Sequence, residues 1–227
     1  MPSEYLVLFD IDGTLLRRAG PHHRAALVAA IREVSGYATT LDDVPTSGML
    51  DRDLIRIMLE NAGAPPGTYT TYLAAISALA EERYCETCPD LRDKVCPGVG
   101  QALSSLQQAR IPAGLVTGNL ARIGWTKMER AGLRHHFVVG AFSDMGETRA
   151  QLVSFALHAA QRQSLISSDA KAALVGDHPN DMIAARVNGL RAIGVETGLS
   201  TAAQLYESGA HIVLQDLSAF DPDTLWI

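Results

Sequence analysis

The sequence predicts an α/β protein: a parallel sheet with helices on both faces, interrupted by a block made of helices alone. Three observations carry this. Short apolar runs such as Leu6-Val7-Leu8-Phe9, and later residues 113–116 and 172–175, read as buried strands. Between the later runs lie stretches of helical spacing, stopped by Gly132 and by Asn188-Gly189. From residue 16 to about residue 95 the strand signal vanishes and only helical spacing remains. Strands alternating with helices bury both faces of a parallel sheet through right-handed crossovers.

Taken in order, the first strand covers residues 6–9 and ends in Asp10-Ile11-Asp12, after which Gly13-Thr14 turns the chain. A helix over 21–34 sets Ala25, Val28, Ile31 and Val34 at helical spacing, with Pro21 suited to its start. A second, over 51–61, gathers Leu54, Ile57 and Met58 on one face and is stopped by Gly63. A third, over 69–84, carries Leu73, Ile76, Leu79 and Ala80. Pro97-Gly98 then opens a helix over 99–109, and the strand 113–116 ends at Thr117-Gly118-Asn119. A helix over 120–131, a strand over 137–140 and a helix over 149–163 follow. The strand 172–175 ends at Gly176-Asp177, and a helix over 180–187 leads to a strand over 190–195. A short helix over 201–207 and a strand over 211–214 close the pattern.

Composition narrows the function classes. The 227 residues are 47% apolar with a formal net charge of −6, the balance of a soluble globular chain. No window reaches the ~18 consecutive apolar residues of a membrane span, and the first strand begins too early for a signal peptide, so no membrane association and a cytoplasmic location are expected. Without a Lys- or Arg-rich run, nucleic acid is a poor partner. Three cysteines argue against a disulfide framework; Cys85-x-x-Cys88 with Cys96 lacks a second close pair and reads as thiols rather than a zinc site. Monomer and homodimer both remain open.

Three strand ends carry the chemistry: Asp10 and Asp12, then Thr117-Gly118-Asn119, then Asp177 with Asp181. In a parallel sheet such ends share one edge, where ligands bind. An isolated Asp-x-Asp is usually a solvated turn. Here Phe9-Asp10-Ile11-Asp12-Gly13-Thr14-Leu15-Leu16 directly follows a hydrophobic strand, and this stretch resembles the first motif of the haloacid dehalogenase-like superfamily, in its phosphatase and phosphomutase branch. The likeness extends over residues 5–16 and 95–195 and is nearest the phosphoglycolate phosphatase group. It implies a Rossmann-like core of residues 1–16 and 95–227 with an α-helical cap over 17–94, hinged near 17–20 and 90–98. It also implies a Mg²⁺-dependent phosphatase for a small phosphorylated metabolite, either phosphoglycolate-like or a sugar phosphate.

On residue types, Asp10 is the nucleophile that forms an aspartyl-phosphate, and Asp12 is the general acid and base. Asp10, the Asp12 carbonyl, Asp177 and Asp181 would hold Mg²⁺. Thr117, Gly118 and Asn119 would cradle the phosphoryl oxygens. One cation is needed beside the nucleophile. Arg149 fits the family's position at the start of the helix before the last acidic motif, whereas the spacing sets Lys127 nearer the surface and Lys171 at the far side of the sheet. Arg52 reads equally as an anion contact or a helix start, and His178 as a solvated loop residue. A phosphomutase is the nearest rival, and a receiver-like phosphoaspartate module a more distant one that has no use for Asp12.

Overall fold

The first strand explains the rest of the architecture. The computed structural model describes residues 1–42 and 44–226. In β1 (Ser3–Phe9), Leu6, Val7, Leu8 and Phe9 are all buried. Successive side chains point to opposite faces. Leu6 and Leu8 join one apolar cluster, while Val7 and Phe9 join the other. A strand without a polar face can only be central.

The chain continues through α1 (Gly20–Ser35), α2 (Asp51–Asn61), α3 (Thr68–Thr87), α4 (Val99–Gln108), β2 (Ala113–Val116), α5 (Ala121–Arg130) and β3 (Phe137–Ala141). Then come α6 (Arg149–Arg162), β4 (Ile166–Gly176), α7 (Pro179–Val187), β5 (Arg191–Val195), α8 (Ala202–Glu207) and β6 (Ile212–Leu214). The six strands are parallel in the order β3-β2-β1-β4-β5-β6, with Phe9 registered against Leu115 on one side and Val175 on the other. The order reverses between β1 and β4, which is where a doubly wound sheet opens its crevice. Helices α6 and α7 cover the Leu6 and Leu8 face through Leu152, Val153, Ala156 and Met182. On the other face Val99, Leu103, Leu106, Ile123 and Met128 of α4 and α5 pack with Phe9.

Strand β4 is longer than the pattern predicts. Its first residues, Ile166 to Lys171, include Ser167, Ser168 and Asp169, and this half is largely exposed while Ala173 to Gly176 are buried. Polar residues on a projecting strand carry no apolar run, so the periodicity began only at Ala172. Lys171 therefore lies inside the strand, in its exposed half.

Helices α1, α2 and α3, which fall between β1 and α4 in the sequence, pack on one another, and the apolar cluster of Phe9 runs on into Ile31, Met58, Ile76 and Tyr84. The chain leaves and re-enters the sheet at one place. Arg17 N–H donates to the Lys94 carbonyl and Cys96 N–H to the Leu15 carbonyl, each at 2.9 Å. Among the described residues, no helix is long and apolar enough to cross a membrane.

Candidate active site

Asp10 follows the last residue of β1, its N–H donating to the Val175 carbonyl of β4 at 3.0 Å. The backbone then curls so tightly that the Leu15 and Leu16 N–H groups both donate to the Ile11 carbonyl at 2.9 Å. Gly13 makes the curl possible with φ +93°, and a Cβ there would stand 2.2 Å from a carboxylate oxygen of Asp177. Thr14, fully buried, donates its hydroxyl to Asp177 Oδ1 at 3.1 Å, tying the first motif to the end of β4.

Asp181 sits in the first turn of α7, where it accepts the His178 N–H at 3.2 Å in a capping box. One carboxylate oxygen from each of Asp10, Asp177 and Asp181 lies within 4.8 Å of the other two. Asp10 is more than 160 residues from the other two in sequence, and the topology alone unites them. Arg149, the first residue of α6 after its Thr148 cap, donates Nη1 to Asp10 Oδ1 at 2.9 Å. The same nitrogen is 2.8 Å from Asp181 Oδ1 but is not aligned for a hydrogen bond, so that buried oxygen has no hydrogen-bond partner.

Three carboxylates against one guanidinium leave excess negative charge in a dry place. Burial, then Asp10 and Asp181, push Asp177 up to about 8. Burial, then Asp10, push Asp181 up to about 7, against the pull of Arg149. Burial would lower the Arg149 guanidinium, yet Asp181 and Asp10 hold it well above its ordinary value. An oxygen-only donor set with an orphaned buried carboxylate oxygen fits a hard divalent cation.

At the end of β2, Thr117 N–H donates to the Ala141 carbonyl at 3.1 Å. Asn119 donates its amide to Asp12 Oδ2 at 2.8 Å and to the Thr117 hydroxyl at 2.9 Å. Gly118 lies against the helical layer: a Cβ would stand 2.0 Å from the Met49 carbonyl oxygen, and its own carbonyl accepts the Asp51 N–H at 2.8 Å. Thus Asp10, Asp12, Thr117, Gly118, Asn119, Arg149 and Asp177 all line one cavity of about 530 Å³, with Asp181 in contact behind it.

Lys127 requires a correction. The sequence reading put it near the surface; it is fully buried, with Nζ 2.5 Å from Asp12 Oδ2 and 3.3 Å from His23 Nδ1. The spacing had the answer, since Ile123, Gly124, Lys127 and Met128 form the buried face of α5. If Lys127 donates to His23 Nδ1, the imidazole proton belongs to Nε2, which faces Asp51 Oδ2 at 2.9 Å. Asp51 also accepts the Leu120 N–H at 2.8 Å, so it sits at the N-terminal ends of both α2 and α5. Burial raises Asp12, but Lys127, His23 and Asn119 together leave it below the usual carboxylate range.

The sequence reading missed His23 and gave Asp51 only a helix-start role, although position 23 falls on the buried face of α1 with Ala26, Leu27 and Ala30. Arg52 turns away from the cavity, donating to the Gly146 carbonyl at 3.1 Å. His178 caps α7, accepting the Asn180 N–H, and burial with Arg149 lowers its basicity. Cys85, Cys88 and Cys96 are free thiols.

The family model for haloacid dehalogenase-like hydrolases matches residues 6–189, which takes in every residue of the cluster. The chain belongs to that family. Among relatives of this haloacid dehalogenase-like hydrolase is a phosphoglycolate phosphatase of Agrobacterium fabrum, 28% identical over 97% of this chain and 92% of that one. A phosphoglycolate phosphatase of Chromobacterium violaceum is 30% identical over 60% of this chain, which spans 59% of that relative's length. Among solved structures, CbbY from Rhodobacter sphaeroides in complex with phosphate superposes with a TM-score of 0.69 at 21% identity, covering 94% of this chain and 95% of that one. At that identity the likeness shows the shared fold.

Proposed function

We propose that this phosphoric monoester hydrolase is a Mg²⁺-dependent phosphatase of small phosphorylated metabolites, working through an aspartyl-phosphate on Asp10. The observation that carries it is the meeting of Asp10 with Asp177, Asp181 and Arg149 in one buried nest beside a cavity that also holds Asp12. A phosphate monoester resists hydrolysis, and catalysis rests on positioning the nucleophile and neutralising the equatorial oxygens. Asp10 attacks phosphorus in line, splitting the reaction into two easier steps. Asp12 protonates the leaving oxygen and then takes a proton from the water that releases phosphate. Thr117 and the backbone at Asn119 hold the phosphoryl oxygens, and Arg149 orients Asp10 while sharing their charge.

Asp10, Asp177, Asp181 and the Asp12 carbonyl would hold Mg²⁺, which supplies charge neutralisation at the transferring group. Residues 17–94 act as a cap, hinged where Arg17 pairs with Lys94, that shields the site from water. Three free thiols accord with the reducing cytoplasm.

Asp10→Asn should abolish both turnover and the acid-stable phosphoenzyme trapped by rapid quench with labelled substrate. Substantial residual activity would remove Asp10 from the nucleophile's place, and full rates in excess chelator would contradict the metal.

A further inference from the structure

A second cavity opens at the opposite edge of the sheet. It holds about 460 Å³, and Lys171 of β4, Arg191 of β5, His211 just before β6 and Trp226 stand in its wall. All six strands run parallel, so this edge carries strand beginnings, whereas Asp10 and Asp177 follow strand ends. Ala172 in the wall lies five residues before Asp177, about 16 Å along an extended strand.

The polar groups here are donors without acceptors. Among the described residues, no Asp or Glu lines the cavity, and neither Lys171 nor Arg191 takes part in an ion pair. Asp169, two residues before Lys171, stays outside the wall. The Arg191 Nε and Trp226 Nε1 N–H groups are enclosed and have no hydrogen-bond partner, which folded proteins rarely tolerate. His211 sharpens the imbalance. Its Nδ1 faces the Ala192 N–H at 2.9 Å, and its Nε2 faces Arg186 Nη1 at 2.8 Å. Both neighbours only donate, and a neutral imidazole has one nitrogen to accept with, so the ring N–H points at another donor. Burial, then Arg186 and Arg191, lower the basicity of His211, and an imidazolium with two N–H groups would meet two donors instead of one.

We propose that this cavity binds the phosphate group of a small organic molecule, with Lys171, Arg186, Arg191 and His211 around the anion. Phosphate oxygens accept the hydrogens that nothing in the protein accepts, and they suit both the guanidinium fork and the ammonium. Four converging donor groups exceed what the two oxygens of a carboxylate serve, whereas a phosphate ester presents three. A lone phosphate fills only a small part of 460 Å³, and Leu157, Ile166 and Leu190 offer the remainder of the wall to an apolar body. No residue of this wall belongs to the Asp10 cavity, so the inference stands apart from the phosphatase reading.

The indole of Trp226 reports on the site. Metal-free, ¹⁵N-labelled protein is titrated with inorganic phosphate, AMP and adenosine, each against sodium chloride at matched ionic strength. The chain has two tryptophans, and Trp226→Phe identifies which indole resonance belongs to Trp226. Phosphate or AMP should move that resonance along a saturable curve, with a Kd of roughly 1 mM or below for the better of the two, while adenosine and chloride leave it in place. The double variant Lys171→Gln, Arg191→Gln should weaken that binding by roughly tenfold or more, and Lys171→Gln alone, at an exposed position, should weaken it by roughly threefold or more without touching the packing. No saturable shift by about 10 mM of either anion, as would follow if the chain's own terminal carboxylate filled the site, overturns the proposal. An equal shift from adenosine or chloride, or binding that both variants leave unchanged, overturns it as well.

Discussion

Arg149→Met removes the cation that faces three buried carboxylates while keeping most of the side chain's volume. Arg149 is 7% exposed, and Asp10, Asp177 and Asp181 are 5%, 3% and 0% exposed, so water cannot replace the guanidinium without the site opening. Removing one partner from a buried pair costs about 3–5 kcal/mol. At about 2–4 °C per kcal/mol for a chain of this size, the metal-free variant should melt about 6–20 °C below the wild type. The pH dependence has a definite sign. Asp177 at about 8 and Asp181 at about 7 hold protons that the unfolded chain releases. Their stability contribution is therefore present in acid and is lost as pH rises through about 7 to 8. The deficit of the variant should be smallest near pH 6 and should widen above pH 8, where the acids it leaves behind are charged. Differential scanning calorimetry with Mg²⁺ and with chelator reads both effects, and Mg²⁺ should restore more stability to the variant than it adds to the wild type. A loss under about 1 kcal/mol in chelator, or no Mg²⁺ response in the variant, would refute the picture of an undercompensated acidic nest.

Two further substitutions probe the neighbouring contacts. Lys127→Met should cost little or no stability, because the desolvation penalty of a fully buried ammonium disappears while Asp12, with its side chain 39% exposed, can be solvated. Its kcat should nevertheless fall by roughly tenfold or more, since Asp12 loses the donor that orients it; a wild-type kcat would make the lysine a packing residue. Gly118→Ala drives a methyl against the Met49 carbonyl, backbone that cannot swing aside, and should lower the urea midpoint by the equivalent of about 1–3 kcal/mol. An unchanged midpoint would mean that the α2 approach is looser than drawn.

Different residues were legible in the sequence for different reasons. Asp10, Asp177 and Asp181 could be brought together on paper because parallel strands put their ends on one edge, and residues 113–116 and 172–175 declared themselves by apolar runs. Arg149 was placed by the family resemblance, which puts a cation at the start of the helix before the last acidic motif, rather than by any periodicity. The first half of β4 stayed hidden because a projecting strand has no need of an apolar face. Lys127 was misread for a physical reason: a buried lysine depends on partners that only tertiary structure supplies, here Asp12 from the first loop and His23 from α1. Helical spacing put position 23 on a buried face but could not name its partner, since the His23–Asp51 pair joins two helices separated by residues 36–50.

The paired backbone at Arg17 and Lys94 has an architectural meaning. A block of chain whose entrance and exit lie one hydrogen bond apart can be enlarged, trimmed or exchanged without moving a single strand. The sheet and its acidic tips could then keep one chemistry through evolution while the inserted helices change.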